Sequence, residues 1–271
     1  MAPRRDFRDK TVVITGAAGG IGAAFSRCFA RAGARLGLLD LESDALRSLE
    51  KELAENGVEC LAAAGDVTEE DQCIDAMNTL IKRFGGIDVL INNAGITHRS
   101  AFSDTDTEVF HRVMDVNFFG SLYCTKAALD SLIERKGLII VTSSAAGFSP
   151  LYGRTGYSAS KHALHGLFDS LRTELRSAGV GVMIVCPGFT ATGISTSALD
   201  RDGTVTSHPQ STVGRVSQPE EVAEAVLRAA ARDKRLLVLS TVGRVTRLLN
   251  KLFPALHERI MERSLSSELE R

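Results

Sequence analysis

Charge of either sign in excess is missing from this chain: 32 Lys and Arg face 33 Asp and Glu, for a formal net charge of −1 and a pI near 6.6. That excludes the broad basic field that a nucleic-acid backbone requires, so no nucleic-acid partner is expected. Cysteine is sparse and scattered, at Cys28, Cys60, Cys73, Cys124 and Cys186, with an odd count and no CxxC pair or histidine-bearing cluster. The spacing argues against a disulfide framework and against a zinc site, and favours buried thiols in a reducing, cytoplasmic compartment; no metal is expected. Long hydrophobic runs are absent too, so no segment is expected to span a bilayer, and the polar start MAPRRDFRDK lacks the apolar stretch of a signal peptide. Apolar residues are nonetheless plentiful, at 44% against 24% charged, which suits an ordinary globular core.

What is present is an alternation. Short runs rich in β-branched residues and leucine occur at 11–15, 35–40, 58–66, 87–92, 137–143, 180–186 and 235–240, and segments of helical period fill 42–56, 69–84, 107–135, 157–178 and 219–232. Several runs are apolar without polar alternation, as strands covered on both faces require. The expectation is a single α/β domain over 1–271: a Rossmann-like, doubly wound parallel sheet of about seven strands between two helical layers. Ser43 and Thr68 are candidate helix caps. Residues 188–216, rich in Gly, Ser, Thr and Asp, break the rhythm and read as a substrate-binding lid. Beyond the last strand, 244–271 forms a helical extension, amphipathic over 244–263 and interrupted at Pro254, whose leucines could pack on the domain, on a second subunit or, least favoured of the three, on a membrane surface.

After the first strand comes TGAAGGIG, residues 15–22. Glycines there permit a sharp turn, close backbone approach to a pyrophosphate, and helix-start amides aimed at its charge. The spacing GxxxGxG of Gly16, Gly20 and Gly22 differs from the common GxGxxG fingerprint, and a tight turn without a ligand would read the same way. Asp40 ends the second strand, where a carboxylate can hydrogen-bond an adenosine ribose and repel a 2′-phosphate; with no Lys or Arg at Ala17, Ala18 or Leu41, NAD is favoured over NADP. Asp40 is otherwise a solvated turn residue. Asp66 and Val67, after the third strand, either reach the adenine edge or, for Asp66, cap the next helix.

These segments together resemble the short-chain dehydrogenase/reductase family over roughly residues 8–241. TGAAGGIG matches its TGxxxGxG, and NNAG (92–95), VNFFG (116–120), SSAAG (143–147), YSASK (157–161) and PG (187–188) follow in the family's order. The resemblance implies a catalytic tetrad of Asn117, Ser144, Tyr157 and Lys161, and cofactor contacts from Gly16, Gly20, Ile21, Gly22, Asp40, Asp66, Val67, Asn93, Ala94, Gly95, Tyr157, Lys161, Pro187, Gly188 and Thr190. In that scheme Asn117 holds a water of a proton relay, Lys161 binds the nicotinamide ribose, and Ser144, rather than its neighbour Ser143, hydrogen-bonds the substrate oxygen. Independently of the family, residues four apart on a helix share a face, so the Lys161 ammonium comes toward the Tyr157 phenol, and with the cationic nicotinamide it should lower a pKa otherwise near 10 far enough to make a base.

Walls at 97–103, 145–156 and 189–216 offer Phe102, Phe148, Leu151, Tyr152 and Phe189, of which Phe148, Tyr152 and Phe189 join Ser144 and Tyr157 as expected substrate contacts. Arg154 either meets an anionic group or is solvated, and His162 with His165 lacks a third metal ligand. The expected activity is NAD(H)-dependent interconversion of a moderately apolar secondary alcohol and its ketone. Alternatives are an NAD(P)H-dependent carbonyl reductase of a lipid, steroid or polyketide-type substrate, a cofactor-binding regulator without turnover, and an epimerase or dehydratase, the last disfavoured by chain length. By the resemblance the chain is a homo-oligomer, dimer or tetramer, built on the helices at 107–135 and 157–178, with the extension favouring the dimer.

Overall fold

The computed structural model describes residues 5–207, 212 and 214–265. Of the segments singled out above, positions 1–4, positions 208–211 and 213 of the lid, and 266–271 of the extension lie outside the described residues. Seven strands form one wholly parallel sheet in the order β3-β2-β1-β4-β5-β6-β7: β1 Thr11–Thr15, β2 Arg35–Asp40, β3 Cys60–Ala64, β4 Val89–Asn92, β5 Leu138–Thr142, β6 Gly181–Cys186 and β7 Leu236–Val238. The fold is the Rossmann-like doubly wound sheet that the alternation implied. Because β1 lies between β2 and β4, successive crossovers leave it in opposite directions and open a crevice at the carboxyl edge, the usual ligand position in such sheets.

Both faces of the sheet are dry, which explains the unbroken apolar runs. On one face Val12 and Ile14 of β1 and Leu36 and Leu38 of β2 join Phe25 and Phe29 of α1 (Gly20–Arg31), Leu46, Leu49 and Leu53 of α2 (Asp44–Glu55) and Val222 and Val226 of α7 (Pro219–Ala230). On the other, Val13, Leu39 and Leu90 pack with Met77 and Leu80 of α3 (Glu70–Phe84), Cys124 and Leu132 of α5 (Gly120–Glu134) and Leu164 and Phe168 of α6 (Thr155–Glu174). Alternate residues of one strand therefore serve two cores.

The helix ends correct several expectations. Ser43 does cap α2, its hydroxyl accepting the Leu46 amide at 3.3 Å. Thr68 caps nothing: α3 begins two residues later behind Glu69, and the Thr68 hydroxyl donates to Asp66 instead. The segment expected as one helix over 107–135 is three pieces, α4 (Thr107–Met114), a π-turn at Asp115–Phe119 and α5. The buried positions Val109, Val113, Asn117, Ser121 and Thr125 step by four through the π-turn, so an i, i+4 pattern continues across the inserted residue. Helix α6 starts at Thr155, placing Tyr157 in its first turn, and ends at Glu174 rather than 178. The extension forms α8 (Thr241–Leu252) and α9 (Pro254–Leu265), divided at Pro254 as its sequence indicates.

Leu80 covers a strand position that has no side chain. A Cβ on Gly37 would stand 2.8 Å from Leu80 Cδ1, so the leucine already fills that space and nothing on β2 can replace it. Leu80→Ala should therefore cost about 3–5 kcal/mol, the upper part of the range for buried leucines, read as a lower urea midpoint with an unchanged slope.

Candidate active site

At the carboxyl edge, the end of β1 turns into α1 through the glycine loop. Gly16 has φ +62°, and a Cβ there would meet Ala94 Cα at 2.8 Å; a Cβ on Gly22 would stand 1.9 Å from the Gly16 carbonyl oxygen. Glycine is obligatory at both places. Gly19 heads α1 with no side-chain cap, leaving the first-turn amides of Gly20, Ile21 and Gly22 directed at the crevice, and Thr192 of the lid lies over Gly20. Asp40 is no free turn residue: its carboxylate accepts the Ala18 amide and the Leu41 amide, each at 2.8 Å, which fixes it beside the loop. Asp66 is turned into its own loop, accepting the Thr68 amide and hydroxyl at 2.9 Å each, while Val67 is buried against Gly120. Its alternative role as a helix cap is thereby excluded. A chain of close-approach glycines, uncapped amides and a fixed carboxylate fits the pyrophosphate and ribose of a dinucleotide.

Asn93 braces rather than reaches outward. Its carboxamide donates to the carbonyls of Thr15 and Gly16 at 3.1 and 3.2 Å, and the amides of Asn93 and Ala94 both donate to Thr15 Oγ1. Gly95 follows, with Asn117 Oδ1 3.0 Å and Lys161 Nζ 3.5 Å from where its Cβ would be. Pro187 is buried; Gly188 backs onto Ser240, and Thr190 donates its hydroxyl to the Gly188 carbonyl.

The four residues of the expected tetrad lie around one point. Asn117 sits in the π-turn, its amide donating to the Ile96 carbonyl and Ser160 Oγ and its Oδ1 accepting the Ile96 amide at 2.8 Å. Both of its donors are thus committed to the scaffold. Ser144 follows β5, its hydroxyl accepting the Ala146 amide at 3.2 Å and acting on Tyr157 closely enough to pull its pKa down, whereas Ser143 points inward to the Lys161 carbonyl. The Tyr157 ring packs on Val109, Val113 and the lid's Leu199. Lys161 is almost wholly buried and donates to the Thr142 carbonyl at 2.9 Å, its Nζ lying 5.6 Å from the Tyr157 ring centroid.

At Tyr157 burial works against the lowering expected from Lys161 and the nicotinamide. Burial pushes its pKa up, outweighing the Ser144 hydrogen bond and the positive charge of Arg154, which pull it down. The Lys161 ammonium faces the ring and a carbonyl rather than the phenol oxygen, and burial lowers its own pKa to about 8. Arg154 is not solvated: it is 4% exposed, donates to the Tyr152 carbonyl, and stands three residues before the tyrosine it acts on.

His98 was not singled out by the sequence, although it holds the start of α6. Fully buried, it accepts the Gly156 amide at Nε2, 2.9 Å away, and burial with the Arg154 charge lowers its pKa to about 4, so it is a neutral acceptor at physiological pH. No pattern flags a lone histidine whose partner lies in another segment. The lid is pinned to the same stretch, with backbone hydrogen bonds from Arg99 to Leu199 and from Leu199 to Thr97. Of the expected walls, Phe102, Leu151 and Tyr152 line a groove of about 350 Å³ beside α6, and Phe189 is half-buried at the lid's start. Phe148 instead turns to the core edge, against the rings of His165 and the guanidinium of Arg247. His162 is exposed and bonds its own helix.

Comparison with known proteins places this geometry. Residues 10–202 match the family described as short chain dehydrogenase. Dehydrogenase/reductase SDR family member 7B of Danio rerio is 35% identical over 95% of this chain and 86% of its own length, and the Bos taurus protein of that name 36% identical over 94% and 81%. Among solved structures, a short chain dehydrogenase/reductase from Burkholderia phymatum in complex with NAD superposes with a TM-score of 0.84 at 26% identity, covering 93% of this chain and 96% of that one. An alcohol dehydrogenase from the archaeon Thermococcus sibiricus complexed with 5-hydroxy-NADP gives 0.73 at 30% identity, covering 85% and 94%.

The buried lysine has a measurable signature. Its folded pKa of about 8 lies below the ordinary lysine value of 10.5, so between those values the unfolded chain holds the proton and the folded one does not. Stability attributable to Lys161 therefore rises with pH across that interval. Against Lys161→Met, the wild-type protein should gain up to about 3 kcal/mol as pH goes from 8 to 10.5, read as converging or crossing urea midpoints.

Proposed function

We propose, on the premise that the chain belongs to the short-chain dehydrogenase/reductase family, that this oxidoreductase interconverts a moderately apolar secondary alcohol and its ketone with NAD(H). The observation that carries the proposal is the convergence of Ser144 and Tyr157 with the buried Lys161 and Asn117 beside Gly95, next to the glycine-loop crevice. A nicotinamide ring bound there supplies the hydride acceptor for oxidation and the donor for reduction.

Each side chain then has a task. Tyr157 takes the proton of the substrate hydroxyl as hydride leaves the same carbon, and returns it in the other direction. Ser144 hydrogen-bonds that oxygen and steadies it as charge develops. Because burial opposes the phenolate, the fixed charge of Arg154 and the positive charge of the oxidised ring are what make Tyr157 a usable base. Lys161, anchored on Thr142, faces the ribose position, and the second lone pair of Asn117 Oδ1 beside it is available to a proton relay. Assembly as a homodimer through α5 and α6 belongs to the same reading.

The preference for NAD rests on Asp40, whose carboxylate is held at the loop by two amides where a 2′-phosphate would need to sit. Asp40→Ala should improve the NADP to NAD ratio of kcat/KM by about tenfold or more, one repelled charge at short range; a wild-type enzyme that already favours NADP would overturn this part. Tyr157→Phe should lower kcat by about 10²- to 10⁴-fold in NADH-linked assays over a panel of ketones and secondary alcohols, while calorimetry shows cofactor affinity retained. Unaltered turnover would refute the mechanism.

A further inference from the structure

The extension touches the domain with few of its residues. Gly243 and His257 are buried, the Asn250 amide donates to the Phe148 carbonyl, and His257 Nε2 meets Ser149 Oγ at 3.3 Å. Its large apolar side chains face outward instead: Val245 is 59% exposed, Leu248 60%, Leu252 56%, Phe253 59%, and Leu256 and Ile260 follow on α9. Positions 245, 248 and 252 are spaced i, i+3, i+7 and form one apolar stripe on α8, while Leu256 and Ile260, i and i+4, share a face of α9, with Phe253 between the two helices.

Cations run alongside. Lys251 precedes a stripe residue of α8 by one position, in a helix with no acidic residue whose two arginines turn to the domain, Arg244 donating to the Val238 carbonyl and Arg247 lying against the Phe148 ring; Arg259 and Arg263 flank the apolar positions of α9, where Glu258 and Glu262 are the acids. Long basic side chains lying beside an apolar stripe can extend to charged groups at the level where the stripe becomes buried. A second copy of the hairpin fits poorly, because a two-fold interface would set the α8 cations of one protomer near those of the other. No helix among the described residues is long and apolar enough to cross a membrane.

We propose that the α8–α9 hairpin is a docking surface for an anionic lipid bilayer, lying in the headgroup plane with its leucines inserted and Lys251, Arg259 and Arg263 on phosphate and carboxylate groups. This reverses the order of preference that the sequence suggested. It also orients the molecule, since Met261 and Glu258 of α9 form one wall of the groove whose other wall is Phe102, Leu151 and Tyr152, so the groove opens beside the docked surface.

Flotation of the full chain with phosphatidylcholine vesicles, with and without phosphatidylserine, tests the proposal without using turnover, so its failure would leave the assignment of the active site intact. The expected result is co-flotation that needs phosphatidylserine and is lost in high salt. Lys251→Gln with Arg259→Gln should weaken binding about 25-fold, roughly fivefold per cation. Leu248→Glu with Leu252→Glu should abolish flotation while the melting temperature stays that of the wild type, as befits exposed positions. Absence of lipid-dependent flotation would overturn the proposal, and so would self-association that the leucine variant abolishes in a chain that does not float, which would assign the face to a second copy.

Discussion

Thr15, Asn93 and Thr142 tie together the carboxyl ends of three neighbouring strands. The Thr15 hydroxyl accepts two amides of the NNAG stretch, the Asn93 carboxamide returns two hydrogen bonds to the glycine loop, and Thr142 Oγ1 reaches Asn93 Oδ1 at 3.4 Å. Parallel strands diverge as they leave a sheet, so loops at this edge have no ladder to set their spacing. The clamp substitutes for the ladder. It fixes the cofactor loop on β1 relative to the serine loop on β5, and the Thr142 carbonyl adds Lys161, and with it α6.

From that clamp the catalytic geometry is assembled out of distant segments. The π-turn presents Asn117 between Ile96 and Ser160, His98 receives the Gly156 amide in the first turn of α6, and the lid is pinned to 97–99 by backbone hydrogen bonds. Each support is a buried polar contact whose loss would leave an unsatisfied group, which gives the site its rigidity. The same packing withdraws water from Tyr157 and Lys161, raising one pKa and lowering the other. Desolvation therefore sets the electrostatic problem at Tyr157, which the Arg154 charge offsets in part.

Much of this was legible beforehand because it depends on local pattern. Strands covered on both faces announce themselves as unbroken apolar runs, and glycine at positions 16 and 22 is dictated by a backbone that allows no Cβ. The Tyr157 and Lys161 pair shares a helix face by spacing alone. Less legible were Phe148, which packs on His165 instead of lining the groove, and the helix break at Asp115, hidden because an i, i+4 pattern continues across the π-turn. Arg154 resembles any surface arginine in sequence; the loop that buries it comes from elsewhere in the chain.

The sequence by itself determined the sheet, its two dry faces and the loop that must be glycine, because hydrophobic period and steric exclusion act over a few positions. The tertiary structure alone decided the sign of the Tyr157 shift, the neighbour that the Lys161 ammonium faces, the neutral state of His98 and the outward turn of the extension's leucines. Those depend on which distant groups displace water from a given atom, and desolvation is a property of the packed molecule rather than of any stretch of chain.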